Sequence, residues 1–140
     1  MSQTPDEKNK STVLEAFETL FNKRDYAKAL NFWSPHYIQH SAHIPPGREG
    51  LFDLVKNAPA IMRYENHVTV ADGDFVLLHG RFSRLGEGMP SWIVVDVVRM
   101  ENGVLAEHWD VIEDEVTKEA SASGLPMFGN EFPALGKARL

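Results

Sequence analysis

The stretch Ser91–Glu115, SWIVVDVVRMENGVLAEHWDVIEDE, sets the terms for the whole chain. It reads as two long strands joined by a tight turn at Glu101-Asn102-Gly103, because runs rich in Val, Ile and Trp form buried strands. Into this apolar segment it places Asp96, Arg99, His108 and Asp110. A carboxylate inside a buried strand must be paired, protonated or used. The turn decides which side chains share a face, since a slip of one residue moves a whole strand's set to the other side. A two-residue loop at Asn102-Gly103 pairs Glu101 with Val104, sets Asp96 opposite Trp109 and sends Asp110 to the other face. A three-residue loop, with Gly103 left-handed in a bulge, pairs Met100 with Val104. Asp96 then lies opposite His108, Asp110 opposite Val94, and all three polar groups share a face. The second arrangement is the expected one, because one polar cluster can satisfy itself and two isolated buried acids cannot. The opposite face then carries Ile93, Val95, Val97, Trp109 and Val111, with Arg99 and Glu107.

The elements before the hairpin decide what packs on it. Thr4-Pro5-Asp6-Glu7 is a helix start, with Thr as N-cap, Pro in the first turn and Glu completing a capping box. Val13, Leu14, Phe17, Leu20 and Phe21 then recur at helical spacing, and the helix ends near Asn22. Asp25 caps a short second helix with Tyr26, Ala29, Leu30 and Trp33 inward, stopped by Ser34-Pro35. Tyr37 to His40 is a short strand. Pro45-Pro46-Gly47 is loop, and a third helix runs from Arg48 to about Asn57. From Tyr64 the pattern alternates as a strand, turns at Asp72-Gly73, and returns as a strand from Phe75 to Ser83. After Thr117, Gly124, Pro126, Gly129, Pro133 and Gly136 punctuate a loop-like tail. Its Leu125, Met127, Phe128, Phe132 and Leu135 are expected to dock on the pocket mouth or a partner subunit. Helices first and hairpins after give an α+β fold, a curved antiparallel sheet packed on three N-terminal helices.

At 140 residues the chain is expected to form one domain spanning 1–140, with its core over about 8–115 and a docking tail over 116–140. The formal charge of −6 is spread along the sequence, which disfavours nucleic acid and an anionic membrane surface. The absence of cysteine excludes disulfides, thiolate catalysis and Cys-ligated zinc. No stretch approaches the roughly 20 apolar residues that span a bilayer. The polar N-terminus, MSQTPDEKNKS, lacks a signal peptide's apolar core, so a cytoplasmic protein is expected.

Several short pieces, in order, now point to a family: Asn22-Lys23-Arg24-Asp25, Tyr37-Ile38-Gln39-His40, Gly47-Arg48-Glu49-Gly50, Ala71-Asp72-Gly73-Asp74, Asp96 to Gly103, and His108-Trp109-Asp110. Over about residues 8 to 115 the chain resembles the SnoaL-like polyketide cyclases, within the ketosteroid isomerase and nuclear-transport-factor-two superfamily. The resemblance implies a cone-shaped α+β barrel around an apolar pocket, and a homodimer formed through the outer sheet face. Asp96 resembles the sheet aspartate that ketosteroid isomerases keep protonated to donate to an enolate oxygen. Asp110 resembles the acid/base aspartate of the polyketide cyclases. His40 occupies roughly the place of a water-positioning residue in limonene epoxide hydrolases. The early acidic base of ketosteroid isomerases is missing, as is the Arg-x-Asp pair of the epoxide hydrolases, where Ile93 and Val94 stand.

The expected catalytic residues are therefore Asp110, Asp96 and His108, with His108 orienting a carboxylate that shuttles a proton. His40, Tyr37, His79, Phe17, Phe21, Trp33 and Trp92 are the expected substrate-binding residues. Each has a plainer structural role open to it: Asp110 as a hydrogen-bonded structural carboxylate, His79 as a satisfied core histidine, the aromatics as core. Neither cofactor nor metal is required. A site built from His40, His108 and Asp110 has acceptable ligand types, but its spacing is not diagnostic. The expected function is general acid/base chemistry, of aldol cyclisation or isomerisation type, on a small, mostly apolar carbonyl compound. The rivals are a non-catalytic small-molecule-binding or dimerisation module, and a cofactor-free hydrolase or dehydratase that activates water.

Overall fold

A computed structural model describes residues 3–133. Helix α1, Pro5–Phe17, starts where the Thr4 hydroxyl accepts the Glu7 amide at 3.1 Å. Its inner side carries Val13, Ala16 and Phe17. The chain then widens into a π-helical turn, Glu18–Asn22, in which the Lys23 amide reaches back to the Glu18 carbonyl. The wider turn brings Leu20 and Phe21 onto the same buried side as Phe17. It also delivers Asn22, whose side-chain amide binds both the amide and the carbonyl of Tyr64. Asn22 thus stands in for a missing strand beside an edge that would otherwise be left unpaired.

Helix α2 is a single turn, Tyr26–Ala29, capped by Asp25. It is shorter than its apolar pattern suggests. Leu30 is exposed, and Trp33 already belongs to strand β1, Trp33–Gln39, which runs through Ser34-Pro35 rather than being stopped there. Strand β1 pairs parallel to the last strand, and its register is interrupted between Trp33 and Ile38, where Pro35 lacks an amide to donate. Helix α3, Gly47–Asn57, packs Leu51, Phe52 and Val55 inward. Its Gly50 is required, because a Cβ there would lie 2.3 Å from the Pro45 carbonyl oxygen.

The remaining strands are β2, Arg63–Asp72; β3, Phe75–Ser83; β4, Trp92–Glu101; and β5, Val104–Asp114. The five-stranded sheet has the order β1-β5-β4-β3-β2. The fold is α+β as expected, with three helices against a curved, unclosed sheet. The sheet is mixed rather than wholly antiparallel, because β1 joins it beside β5.

The hairpin departs from the expected turn and still reaches the expected faces. Glu101 pairs with Val104, so the loop is the two-residue one, with Asn102 and Gly103 both at positive φ. Met100 pairs with Leu105, but Arg99 pairs with Glu107, which leaves Ala106 as an extra residue in β5. This bulge restores the parity that the short turn would have lost. Beyond it Val98 lies opposite His108 and Asp96 opposite Asp110, not Asp96 opposite His108. Asp96, His108 and Asp110 all face inward.

The core lies between the concave sheet face and the helices. Trp33, Leu20, Leu78, Leu105, Val76 and Val98 are fully buried there, each worth about 1.5–3 kcal/mol for an aliphatic side chain taken from water. Phe17 meets Phe21 and Tyr64 edge-to-face, as Phe21 meets Phe82, and the Tyr64 and Phe82 rings are tilted at 52°.

Candidate active site

A cavity of about 90 Å³ opens between α1, α3 and the concave sheet face. Phe17, Phe21, Trp33, Leu51, Phe82, Trp92, Val94 and Ile112 are among its apolar walls. Among the described residues its polar lining is confined to Tyr37, His43, Asp96, His108 and Asp110, with no Lys or Arg. His43 and Ile44 reach in from the loop after β1, and Leu85 from the loop after β3.

The centre of the polar patch is His108, which is 5% exposed. Its Nε2 lies 2.6 Å from Asp96 Oδ1, and its Nδ1 lies 2.6 Å from Gln39 Oε1. Asp110 Oδ2 stands 4.0 Å from the same Nε2. Among the described residues Asp110 accepts no hydrogen bond, although its side chain is only 6% exposed. The second oxygen of Asp96, Oδ2, is buried and also without a partner.

Burial pushes the Asp96 carboxyl above the usual carboxylate range; the His108 contact pulls it back, and the charge of Asp110 pushes it up again. Burial, reinforced by Asp96, likewise raises the Tyr37 hydroxyl far above the ordinary phenol range. Tyr37 therefore stays a protonated phenol. Its ring lies beside the imidazole, with centroids 6.5 Å apart and planes at 28°.

The expected site residues divide by sheet face. Asp96, His108, Asp110, Tyr37, Phe17, Phe21, Trp33 and Trp92 line the cavity. His40 and His79 do not. His40 follows Gln39 and so points outward, where it lies 2.7 Å from a Glu107 carboxylate oxygen and stacks on Trp109 at 4.7 Å. The hydrogen bond from His40, followed by that from Arg99, holds the Glu107 carboxyl below its usual range. His79 pairs across the sheet with Val95 and contacts His67 and Phe128 on the outer face. Neither is placed to bind a substrate in the cavity. A donor set of His40, His108 and Asp110 is therefore not assembled.

The chelating groups that do converge are Asp96, His108 and Asp110, with donor atoms within 4.8 Å of one another. A divalent cation there would have to break the short His108–Asp96 hydrogen bond. Gln39 was not among the expected site residues. Its signal was its place two residues after Tyr37 in β1, which puts both side chains on one face. His43, Ile44 and Leu85 come from loops, where sequence period carries no information about facing.

Residues 13–108 match the SnoaL-like domain family, and the chain belongs to it. No curated protein matches the chain at a significant level. Among solved structures it is similar to TsrD from Streptomyces laurentii, at 20% identity and TM-score 0.64, covering 79% of this chain and 92% of that one. It is also similar to AclR, a candidate hydroxylase from Streptomyces galilaeus, at 26% identity and TM-score 0.61, covering 76% and 90%. A candidate ketosteroid isomerase from Kribbella flavida aligns over 94% of this chain and 100% of its own, at 14% identity and TM-score 0.71. The family and the fold are those of enzymes and binders of small molecules. Among the described residues no helix is long and apolar enough to cross a membrane.

Proposed function

We propose that the chain is a cofactor-independent enzyme that uses general acid/base chemistry on a small, mostly apolar carbonyl compound, in an aldol cyclisation or an isomerisation. The observation that carries this reading is the pairing of an unbonded carboxylate, Asp110, with a proton-sharing pair, Asp96 and His108, at the polar end of an otherwise apolar cavity. Asp110 removes the proton beside the substrate carbonyl. The charge that develops on the carbonyl oxygen meets the proton held between Asp96 and His108. In an isomerisation, protonated Asp110 returns its proton to a different carbon. In an aldol step the enolate carbon attacks a second carbonyl, a C–C bond forms, and Asp110 protonates the resulting alkoxide. Carbonyl compounds that carry a negative charge at neutral pH fit poorly, since two carboxyl groups and, among the described residues, no Lys or Arg line the cavity.

The hydrolase reading loses its expected water-positioning residue, since His40 lies on the sheet face opposite the cavity. A binding module remains the rival, and one experiment separates the two. Small β-diketones and β,γ-unsaturated ketones are incubated with the protein in deuterium oxide, and loss of the α-proton signals is followed by NMR. Exchange catalysed by the wild type and absent from Asp110→Asn is expected. Ligand-induced shifts without exchange in the wild type would establish a binder.

The reading includes a homodimer joined through the outer sheet face. Ile38, Val68, Val70, Phe75, Leu77, Val95 and Val111 are all exposed there, an apolar surface of the kind that proteins cover.

A further inference from the structure

We infer that Gln39 is a positioning residue that fixes the tautomer of His108, so that Nε2 is the ring atom sharing a proton with Asp96. The inference deepens the acid/base reading above, and its effect on turnover rests on that reading; its effect on the imidazole does not.

The argument begins at the amide of Gln39. The backbone N–H of Ser41 donates to Gln39 Oε1 at 2.9 Å. A backbone N–H can only donate, so the atom it meets is the amide oxygen. The same oxygen lies 2.6 Å from His108 Nδ1. An amide oxygen can only accept, so Nδ1 carries a hydrogen. The amide nitrogen of Gln39 meanwhile donates to the Tyr37 hydroxyl at 3.3 Å, which uses the other end of the group. In neutral His108 the hydrogen is therefore on Nδ1, and Nε2 presents a lone pair. Its 2.6 Å contact with Asp96 Oδ1 then requires a proton between the two atoms. Asp96 supplies it as an acid, or Nε2 carries it as part of an imidazolium. In both cases the pair holds one proton.

The backbone fixes this arrangement as firmly as the side chains do. Gln39 and His108 are paired positions of the parallel β1 and β5 strands, and the His40 amide donates to the His108 carbonyl at 2.9 Å. The Ala106 bulge sets His108 on the inner face, the face that Gln39 shares. The choice of a carboxamide also matters. His108 already faces Asp96 on β4, Asp110 on its own strand and the Tyr37 phenol on β1, with no Lys or Arg among the described residues that line the cavity. A third carboxylate at position 39 would hold the imidazolium too strongly to release its proton. Gln accepts the Nδ1 hydrogen without adding that charge, as outer partners of functional imidazoles do.

The test compares wild type, Gln39→Leu and Gln39→Glu by ¹⁵N NMR of the histidine ring nitrogens across pH, with turnover in parallel. The wild type is expected to show hydrogen on Nδ1 in its neutral form. Gln39→Leu should move the neutral hydrogen to Nε2, where Asp96 accepts it, and lower kcat about 10- to 100-fold with little change in KM. Gln39→Glu should keep hydrogen on Nδ1, move the His108 titration to higher pH, and carry the pH profile of kcat with it. An unchanged tautomer in Gln39→Leu would overturn the inference. If that variant does not fold, an unshifted titration in Gln39→Glu overturns it. A kcat loss with unchanged ring shifts and unchanged pH profile would mean that Gln39 is structural only. If the ring shifts change as expected but no variant, wild type included, turns over substrate, the acid/base reading fails and the positioning role stands.

Discussion

Asp96 and Asp110 occupy directly opposed positions across β4 and β5, yet His108 bonds only the first of them, at 2.6 Å against 4.0 Å. Two neighbouring buried carboxyls cannot both be charged without cost, so their environments divide the roles. The fully buried Asp96 is pushed toward its protonated form and shares its proton with His108. Asp110, turned to the cavity and free of hydrogen bonds among the described residues, is the base of the proposed mechanism.

Asp110→Asn should therefore lower proton-exchange or turnover rates by about 10²- to 10⁴-fold, the usual weight of a positioned acid/base group. Asparagine has nearly the same shape, so the circular dichroism spectrum and the affinity for an unreactive ketone should be kept. Full activity in this variant would remove Asp110 from the mechanism.

Asp96 leads to a stability prediction of definite sign. Its folded-state pKa lies above its unfolded value, so the folded protein binds more protons between the two. Its contribution is most favourable below the ordinary carboxylate range and is lost as pH rises through the raised folded value. Asp96→Asn can still donate to Nε2 and has no charge to lose. Its Tm relative to wild type should rise between pH 4 and pH 8. A Tm difference that stays constant or falls across that range would contradict the raised value.

The hairpin shows which parts of the fold were legible in the sequence. The positions of the helices and hairpins followed from apolar period and from the caps at Thr4 and Asp25. The inward trio of Asp96, His108 and Asp110 followed from the demand that buried acids be grouped. The means did not follow. Period and composition cannot distinguish a three-residue turn from a two-residue turn with a bulge at Ala106, since both give the same parity. The place of β1 beside β5 was not legible either, because parallel pairing across a long connection leaves no local signature. Without that pairing the sequence does not single out Gln39, and it points instead to His40, its outward neighbour, as the residue in the pocket.

Deleting Ala106 tests the bulge itself. Without the extra residue, β5 pairs regularly from the two-residue turn, and Arg99 still meets Glu107, Val98 His108 and Asp96 Asp110, so the trio stays inward. The expected result is a folded protein that keeps its acid/base residues on the inner face, with only the local twist of β5 changed. Gly103→Ala is the milder control, because it disturbs only the positive φ of 80°. It should cost about 1–2 kcal/mol in urea unfolding and leave activity intact. A deletion variant that does not fold would show that the bulge's own geometry, and not only the pairing beyond it, is needed to place the site.

The exposed outer face predicts an assembly. Val111 is 74% exposed and Val95, its neighbour across β4, 38%. Val111→Arg should convert a dimer seen by sedimentation at micromolar concentration into a monomer, without touching the cavity on the opposite face. A wild-type monomer at that concentration would count against the outer-face dimer.

The segment after β5 docks away from the cavity, and its seat contains a pair of histidines. Phe128 lies over the His67 and His79 rings at 5.3 and 5.9 Å and under the Arg81 guanidinium at 4.4 Å. Arg81 is itself held by Glu115 and lies 3.7 Å from Glu65. His67 Nδ1 and His79 Nδ1 are 3.1 Å apart, so at least one ring must be neutral for a hydrogen bond to form. Burial, and then the charge of His67, hold His79 below its ordinary value, while the Met127 carbonyl partly restores it. A depressed folded pKa contributes stability above the unfolded value that is lost as pH falls through the folded one. Acidification from pH 7.5 to 5 should therefore speed amide hydrogen exchange over 116–133 more than in β4 and β5, after correction for intrinsic rates. The double variant His67→Gln and His79→Gln should remove that difference. Leu135 and Phe132 were expected to dock as well; Leu135 lies outside the described residues, and Phe132 is part-buried. A pH response of the segment that survives the double variant would place its origin elsewhere, with the Arg81–Glu115 pair the next group to replace.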